Sequence, residues 1–473
     1  MFKKILTLCL SAALLFGPCQ TTICAQGSKA DQIVADMTLQ EKVAQLFIVE
    51  PEDLTGSSKT VTKISSRLKN AYKQYPVGGF ILKSEHITGK SQIKTLNEDL
   101  MSLGVSTAGI IPFLAVDEEG GTVARIASNS ALGVKNVGNM SAIGATKDTG
   151  QAYSAGKYIG NYLIKYGFNV DFAPVADIWS NKSNTVIKYR SFGSSSTLVS
   201  NMVGKFVSGL RSTGVASTLK HFPGHGNTTE DSHLGMAVSN RTLSQLRKSE
   251  LLPFKKGIAR GSEFVMVGHI SLPKITGNNT PATLSKKIVT NILRKELSYD
   301  GIIITDSMSM EAITDSYSSG EAAVLAIQAG CDMILTPDDF TEAYTAVLEA
   351  VQSGEISESR LDESVTRIVT LKLKLAKPSS TSISSLSAAS RGFKVTWKKT
   401  SAKATGYQLQ YATESGFTKN KKTIKVKGIS KSSKTVKNLK AKTNYYVRVR
   451  TYRTISGKTY YSSWSKKKKV KTG

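Results

Sequence analysis

Eight short apolar runs, separated mostly by helix-like amphipathic segments, constrain the first part of this chain more than any other feature. They lie at 45–49, 77–82, 111–116, 170–173, 215–219, 264–267, 301–304 and 333–335. Runs of this kind suit strands buried on both faces, which is the condition of a parallel sheet covered by helices. Eight βα units between residues 28 and 377 argue for a (β/α)8 TIM-type barrel, with a doubly wound open sheet as the alternative. Polar residues favour the barrel. Asp117 and Glu118 follow the third run, Lys220 and His221 the fifth, His269 the sixth and Asp306 the seventh. A barrel gathers the C-terminal ends of its strands on one face, whereas an open sheet does not bring them all together so naturally. Thr38-x-x-Glu41 has the form of a capping box and predicts a helix start.

The pattern changes after Ala376-Lys377-Pro378. Residues 378–390 are rich in Ser and read as a flexible linker. Beyond them, 391–473 holds seven short alternating runs, apolar on one side and Lys or Arg on the other, as in a half-buried antiparallel sandwich. The chain carries a formal net charge of +28. From Ser379 onward 24 lysines and arginines face a single acid, Glu414, a balance of +23 that leaves +5 for everything before it. The basic field therefore belongs to the C-terminal block.

The N-terminus has Lys3 and Lys4, an apolar stretch over 5–16, and small or polar residues up to Ala25. That order predicts a secretory signal peptide over 1–25, too short in its apolar part to be a good membrane span. Three of the four cysteines, Cys9, Cys19 and Cys24, fall within it. Neither Cys19 nor Cys24 has Leu three residues before it, which disfavours a lipid anchor. Cys331 is then alone, so no internal disulfide is expected, and an exported chain of this kind suits a bacterial surface.

Chemistry concentrates in Lys220-His221-Phe222-Pro223-Gly224-His225-Gly226 and the following Asp231-Ser232-His233. Pro and Gly place three of the five histidines on a loop, where a packed core has no use for them. Asp231 can orient His233, and an imidazole near pKa 6.5 can both give and take a proton around neutrality. On residue types alone, His221, His225, Asp231 and His233 could equally ligate a metal ion, although the adjacent Lys220 disfavours a dication. Asp306, at the mouth of a strand, can act as a nucleophile or simply cap a helix with Ser307. Arg125, Arg190 and Lys220 can donate to hydroxyls or an acyl oxygen, and Asp117 can accept from hydroxyls.

These motifs carry a resemblance. From Met37-Thr38-Leu39-Gln40-Glu41-Lys42 to Arg360-Leu361-Asp362 and Arg367-Ile368, the chain resembles glycoside hydrolase family 3, in its β-N-acetylglucosaminidase branch. The matching segments are Asp117-Glu118-Glu119-Gly120-Gly121, Phe172-Ala173-Pro174-Val175-Ala176-Asp177-Ile178, Arg190-Ser191-Phe192-Gly193, the 220–233 loop and Thr305-Asp306-Ser307-Met308. The C-terminal block resembles a fibronectin type III domain, with Trp397 at the core tryptophan and Leu439 with Tyr445 at the tyrosine corner. Tyr460, Tyr461 and Trp464 read as strand residues, with a glycan platform as the alternative.

The resemblance implies a retaining exo-β-N-acetylglucosaminidase (a β-N-acetylhexosaminidase) acting on terminal N-acetylglucosamine, with peptidoglycan fragments as the expected source. It implies Asp306 as nucleophile, and His233 paired with Asp231 as acid/base in place of the usual second carboxylate. Asp117, Arg125, Arg190, Lys220 and His221 would contact the sugar, with no metal or organic cofactor. Thr122, Asn227 and Lys188-Tyr189 depart from the family's usual residues and leave fine specificity open. The expected arrangement is a barrel over 28–377 that completes its own site, a 378–390 linker and a 391–473 sandwich. The basic sandwich suits an anionic cell-wall polymer; neither nucleic acid nor a membrane span is expected. On the same fold, a β-glucosidase or β-xylosidase and a phosphorylase remain alternatives. Outside it, a zinc amidase or a non-catalytic wall-binding protein does.

Overall fold

The computed structural model describes residues 28–228, 235–400 and 403–473. The expected signal peptide, with Cys9, Cys19 and Cys24, lies outside the described residues, as does the Asp231–His233 pair.

All eight apolar runs are strands of one closed parallel barrel. They are β1 (Phe47–Val49), β2 (Gly79–Ile81), β3 (Phe113–Val116), β4 (Val170–Asp171), β5 (Ala216–Phe222), β6 (Phe264–Val267), β7 (Ile302–Ser307) and β8 (Met333–Leu335). Each pairs with the next in sequence, and β8 closes on β1 through Phe47 opposite Ile334. The helices form the outer layer. Thr38 opens the helix Leu39–Ala44 as expected: its Oγ1 accepts from the Glu41 amide, and Glu41 accepts in return from the Thr38 amide. No described helix is long and apolar enough to cross a membrane.

Two of the strands carry an extra residue. Between β7 and β8 the register runs from Ile304 opposite Met333 to Ser307 opposite Leu335, three steps against two. Between β5 and β6 it runs from Leu219 opposite Val265 to Phe222 opposite Val267. Such bulges re-aim side chains next to active sites. Here they fall on Thr305–Asp306 and Lys220–His221.

The second block folds into eight described strands in two antiparallel sheets. One sheet holds β9 (Ile383–Ala389), β10 (Gly392–Trp397) and β13 (Ser433–Val436). The other holds β11 (Gly406–Ala412), β12 (Lys422–Lys427), β14 (Asn444–Ile455), β15 (Lys458–Tyr461) and β16 (Lys468–Lys471). Trp397 packs in the core against Tyr407, and the Tyr445 hydroxyl accepts from the Lys440 amide as a tyrosine corner does.

The 378–390 linker needs correcting. Residues Ile383–Ala389 form β9, paired along its length with β10, and seven expected runs become eight strands. The connection shrinks to the few residues before Ile383. The sandwich is also not free of the barrel. The β14–β15 hairpin places Ile455 and Tyr460 in the barrel's hydrophobic cluster. Lys458 Nζ donates to the Gly109 carbonyl and Lys403 Nζ to that of Gly214, at 2.7 Å for the latter. Gly109 and Gly214 precede β3 and β5, so the sandwich contacts the barrel at the end opposite the polar strand termini.

Candidate active site

The C-terminal strand ends surround a cavity of about 560 Å³, within the range of small-molecule sites. Asp117, Arg125, Arg190, Lys220, His221 and Asp306 all line it. The structure therefore brings together every described residue expected there.

Glu119 organises the cationic side. It is buried, and its Oε1 accepts from Arg190 Nη2 at 2.7 Å and lies 2.7 Å from Lys220 Nζ. Its Oε2 accepts from Arg190 Nε at 2.8 Å. Lys220 Nζ also donates to Asp117 Oδ1 at 2.7 Å. Burial opposes the charge on Glu119, but Arg190 and Lys220 outweigh it and hold the carboxyl far below its usual range. Burial likewise opposes the charge on Lys220, and Asp117 and Glu119 hold the ammonium above its usual range. The result is a fixed alternation of two carboxylates and two cations along one wall.

Strand geometry explains why these acids and not their neighbour face the site. Alternate residues point to the same side of an extended segment. Asp117 and Glu119 meet Lys220, while Glu118 between them turns away. Glu118 accepts from the amides of Ile126 and Ala127 and from the Tyr162 hydroxyl. Burial raises its pKa. Arg125 reaches the cavity from the turn after this segment.

His221 is held at both nitrogens. Nδ1 meets Asp177 Oδ2 at 2.7 Å, and Nε2 faces Arg190 Nη2 at 3.2 Å. A guanidinium can only donate, so Nε2 accepts and Nδ1 carries the proton to Asp177. Asp177 also accepts from the His221 and His225 amides, which pins the loop. Gly226 approaches the Ile178 carbonyl so closely that a Cβ there would sit 1.9 Å from it. His225 Nδ1 meets Thr228 Oγ1, and burial followed by the neighbouring His221 lowers its pKa. Both nitrogens of His221, one of the four residues of the metal reading, are thus engaged by protein groups. Among the described residues one group has metal-like spacing, Glu50, Glu52 and His86. It is already satisfied internally: His86 Nε2 meets Glu52 at 2.9 Å, His86 Nδ1 accepts from the Lys83 amide, and Lys83 pairs with Glu50.

Asp306 sits on the β7 bulge. Thr305 Oγ1 takes the Leu335 amide at 3.0 Å, and the Asp306 carboxylate accepts from the Ser307 amide at 2.9 Å. His269 Nε2 lies 2.8 Å from the Ser307 carbonyl, so it donates there and braces the chain just beyond Asp306. Burial works against ionisation of Asp306. The imidazoles of His221 and His269, the Ser307 amide and Lys220 together hold its pKa below the ordinary carboxylate value. An ionised carboxylate facing a cavity walled by cations and hydrogen-bonding groups is a competent nucleophile.

Residues 38–371 match the N-terminal domain of glycosyl hydrolase family 3, and residues 376–468 match the fibronectin type III domain. The chain belongs to glycoside hydrolase family 3. It is 32% identical over 375 residues to β-hexosaminidase A of Pseudoalteromonas piscicida, a match covering 72% of this chain and 62% of that one. To β-hexosaminidase LpqI of Mycobacterium tuberculosis it is 33% identical over 349 residues, covering 72% and 84%. A solved family 3 β-N-acetylglucosaminidase from Paenibacillus sp. superposes with a TM-score of 0.67 at 37% identity, covering 72% of this chain and 63% of that one. The chain thus spans less than two thirds of the length of some relatives it matches.

Glu119, Asp177 and His269 were not among the expected site residues. Period-two alternation from Asp117 was the signal for Glu119. Asp177 was marked by its place in the family-matching segment 172–178, and His269 only by its position after a strand.

Proposed function

We propose that this protein is an exported, retaining exo-β-N-acetylglucosaminidase that releases terminal β-linked N-acetylglucosamine. Asp306, held ionised on the β7 bulge and facing the Lys220–Glu119–Arg190 wall, is the observation that carries this reading. Its carboxylate attacks the anomeric carbon and forms a glycosyl ester as the glycosidic bond breaks. His233, oriented by Asp231, protonates the departing oxygen. It then takes a proton from the water that cleaves the ester. Asp117, Arg125, Arg190, Lys220 and His221 grip the ring hydroxyls and the N-acetyl group. Peptidoglycan fragments are the natural source, consistent with the expected signal peptide, and anionic wall polymers are the partner suited to the basic sandwich. β-Hexosaminidase relatives support the sugar class.

The test compares wild type, Asp306→Ala and His233→Ala on p-nitrophenyl N-acetyl-β-glucosaminide, with and without phosphate and with an EDTA control. Asp306→Ala should abolish turnover, and His233→Ala should reduce it about 10²–10⁴-fold. Undiminished activity in Asp306→Ala would sink the mechanism. Turnover that requires phosphate would make the enzyme a phosphorylase, and loss with EDTA would revive the metal reading.

A further inference from the structure

The C-terminal sandwich has far more positive charge than its own stability can use. Among the described residues, no ion pair involves any residue beyond Lys374, so its cations are uncompensated. On the outer face of the larger sheet, two of these cations are locked in place. Arg448 stacks on Phe417 at 4.1 Å and on Trp464 at 4.5 Å. Arg450 stacks on Trp464 at 4.3 Å and on Tyr461 at 3.8 Å. Gln410 and Gln408, opposite them on β11, accept from Arg448 Nε and Arg450 Nε at 2.8 and 2.7 Å.

Strand register extends this ladder. Lys425 of β12 lies opposite Gln408, in the same cross-strand row as Arg450, and its ammonium sits over Tyr452. Lys469 of β16 lies opposite Tyr446 with its ammonium over that ring. The run Lys466-Lys467-Lys468-Lys469 is exposed along the edge. Same-face residues repeat about every 6.8 Å along a strand, and rows lie about 4.8 Å apart. The face is a grid of ring-stacked and exposed cations on one sheet, away from the β14–β15 tip that contacts the barrel.

We propose that this face binds a linear phosphodiester polymer without bases, a poly(alditol phosphate), lying across the Arg448–Arg450 ladder. This rests on the reading of the chain as an exported wall enzyme. The ladder itself argues against single-stranded nucleic acid, which needs open aromatic faces on which bases stack. Here Phe417, Trp464 and Tyr461 are each covered by a guanidinium. The catalytic mouth lies at the other end of the barrel, so a tethered molecule keeps its cavity open to small glycans.

The experiment uses the full chain and purified poly(glycerol phosphate), with binding measured from 50 to 300 mM NaCl. Lys425→Glu/Lys469→Glu is compared with Lys394→Glu/Lys437→Glu, which makes the same charge change on or beside the smaller sheet. The first pair should weaken binding about thirtyfold and flatten the salt slope by at least about 1.4, and the second should change affinity less than threefold. Equal losses in both pairs would overturn the proposal in favour of a diffuse field, as would absence of wild-type binding. Tighter binding to oligo(dT) than to poly(glycerol phosphate) would also overturn it. Hydrolysis of p-nitrophenyl N-acetyl-β-glucosaminide is followed in parallel. Both pairs should keep wild-type rates, and a wild type that binds polymer without hydrolysing would refute the enzymatic reading separately.

Discussion

Glu119→Gln probes how the wall of the cavity is held. Wild-type Glu119 satisfies three charged donor contacts, two from Arg190 and one from Lys220. An amide offers one acceptor oxygen and turns its NH₂ toward at least one cationic N–H. Breaking a buried ion pair by removing one partner costs about 3–5 kcal/mol. Lys220 keeps Asp117, which places the loss near the lower end, about 3 kcal/mol. With an unfolding entropy of about 2.1 cal/mol/K per residue over the barrel, that corresponds to a Tm fall of ~4 °C. Released from Glu119, Arg190 and Lys220 no longer hold their positions, and a displacement of about 1 Å costs ~10²-fold in kcat/KM. The assays are thermal unfolding and steady-state hydrolysis of p-nitrophenyl N-acetyl-β-glucosaminide. A variant with unchanged Tm and kcat/KM within twofold of wild type would refute the reasoning. Glu118→Gln is the control: its side chain points away from the cavity, so it should lower Tm while leaving kcat/KM within about threefold.

Three further outcomes follow from the same structure. Asp332, buried against Arg294, Arg360 and Arg367, has its pKa depressed by them against the opposing effect of burial. Its stabilisation is present above the unfolded carboxylate value and lost as pH falls through the folded one. Asp332→Asn should therefore cost about 3 kcal/mol at pH 7, and the gap from wild type should narrow below about pH 4 in a pH series of melts. Lys372 is buried over the Phe113 ring and, among the described residues, donates to Gln45, and burial pulls its pKa well below the usual range. Stability limited by that lysine rises with pH up to the unfolded value. Lys372→Met should accordingly raise Tm at neutral pH, by an amount that shrinks toward about pH 10. Because Asp306 ionises below the ordinary carboxylate range, the acid limb of kcat/KM that it governs should fall below about pH 4. The alkaline limb, set by loss of the acid/base proton, should disappear in His233→Ala.

The barrel was legible because most of its strands open on short apolar runs of β-branched, aromatic or aliphatic residues, and buried parallel strands leave few other choices. The bulges were not. An extra residue at Asp306 or Lys220 has no compositional mark, yet it aims both side chains at the cavity. Glu119 hid among three consecutive acids, where only the pleat distinguishes Asp117 and Glu119 from Glu118. The start of the sandwich was misread for a related reason. In β9 only Ile383 is buried, so an edge strand rich in Ser has the composition of a linker. The basic C-terminal block was plain in sequence, but the stacking of Arg448 and Arg450 was not, because it depends on cross-strand register and on a tryptophan beyond the strand.

The central claim is that Asp306 becomes covalently glycosylated. The direct measurement is mass spectrometry of the enzyme trapped with a 5-fluoro-N-acetyl-β-glucosaminyl fluoride, followed by peptide mapping. One 5-fluoro-N-acetylhexosaminyl adduct, with the anomeric fluoride expelled, is expected on the peptide containing Asp306 and absent in Asp306→Ala. An adduct on another residue such as Glu311, or product released from the ordinary substrate with inverted anomeric configuration and no adduct, would contradict it.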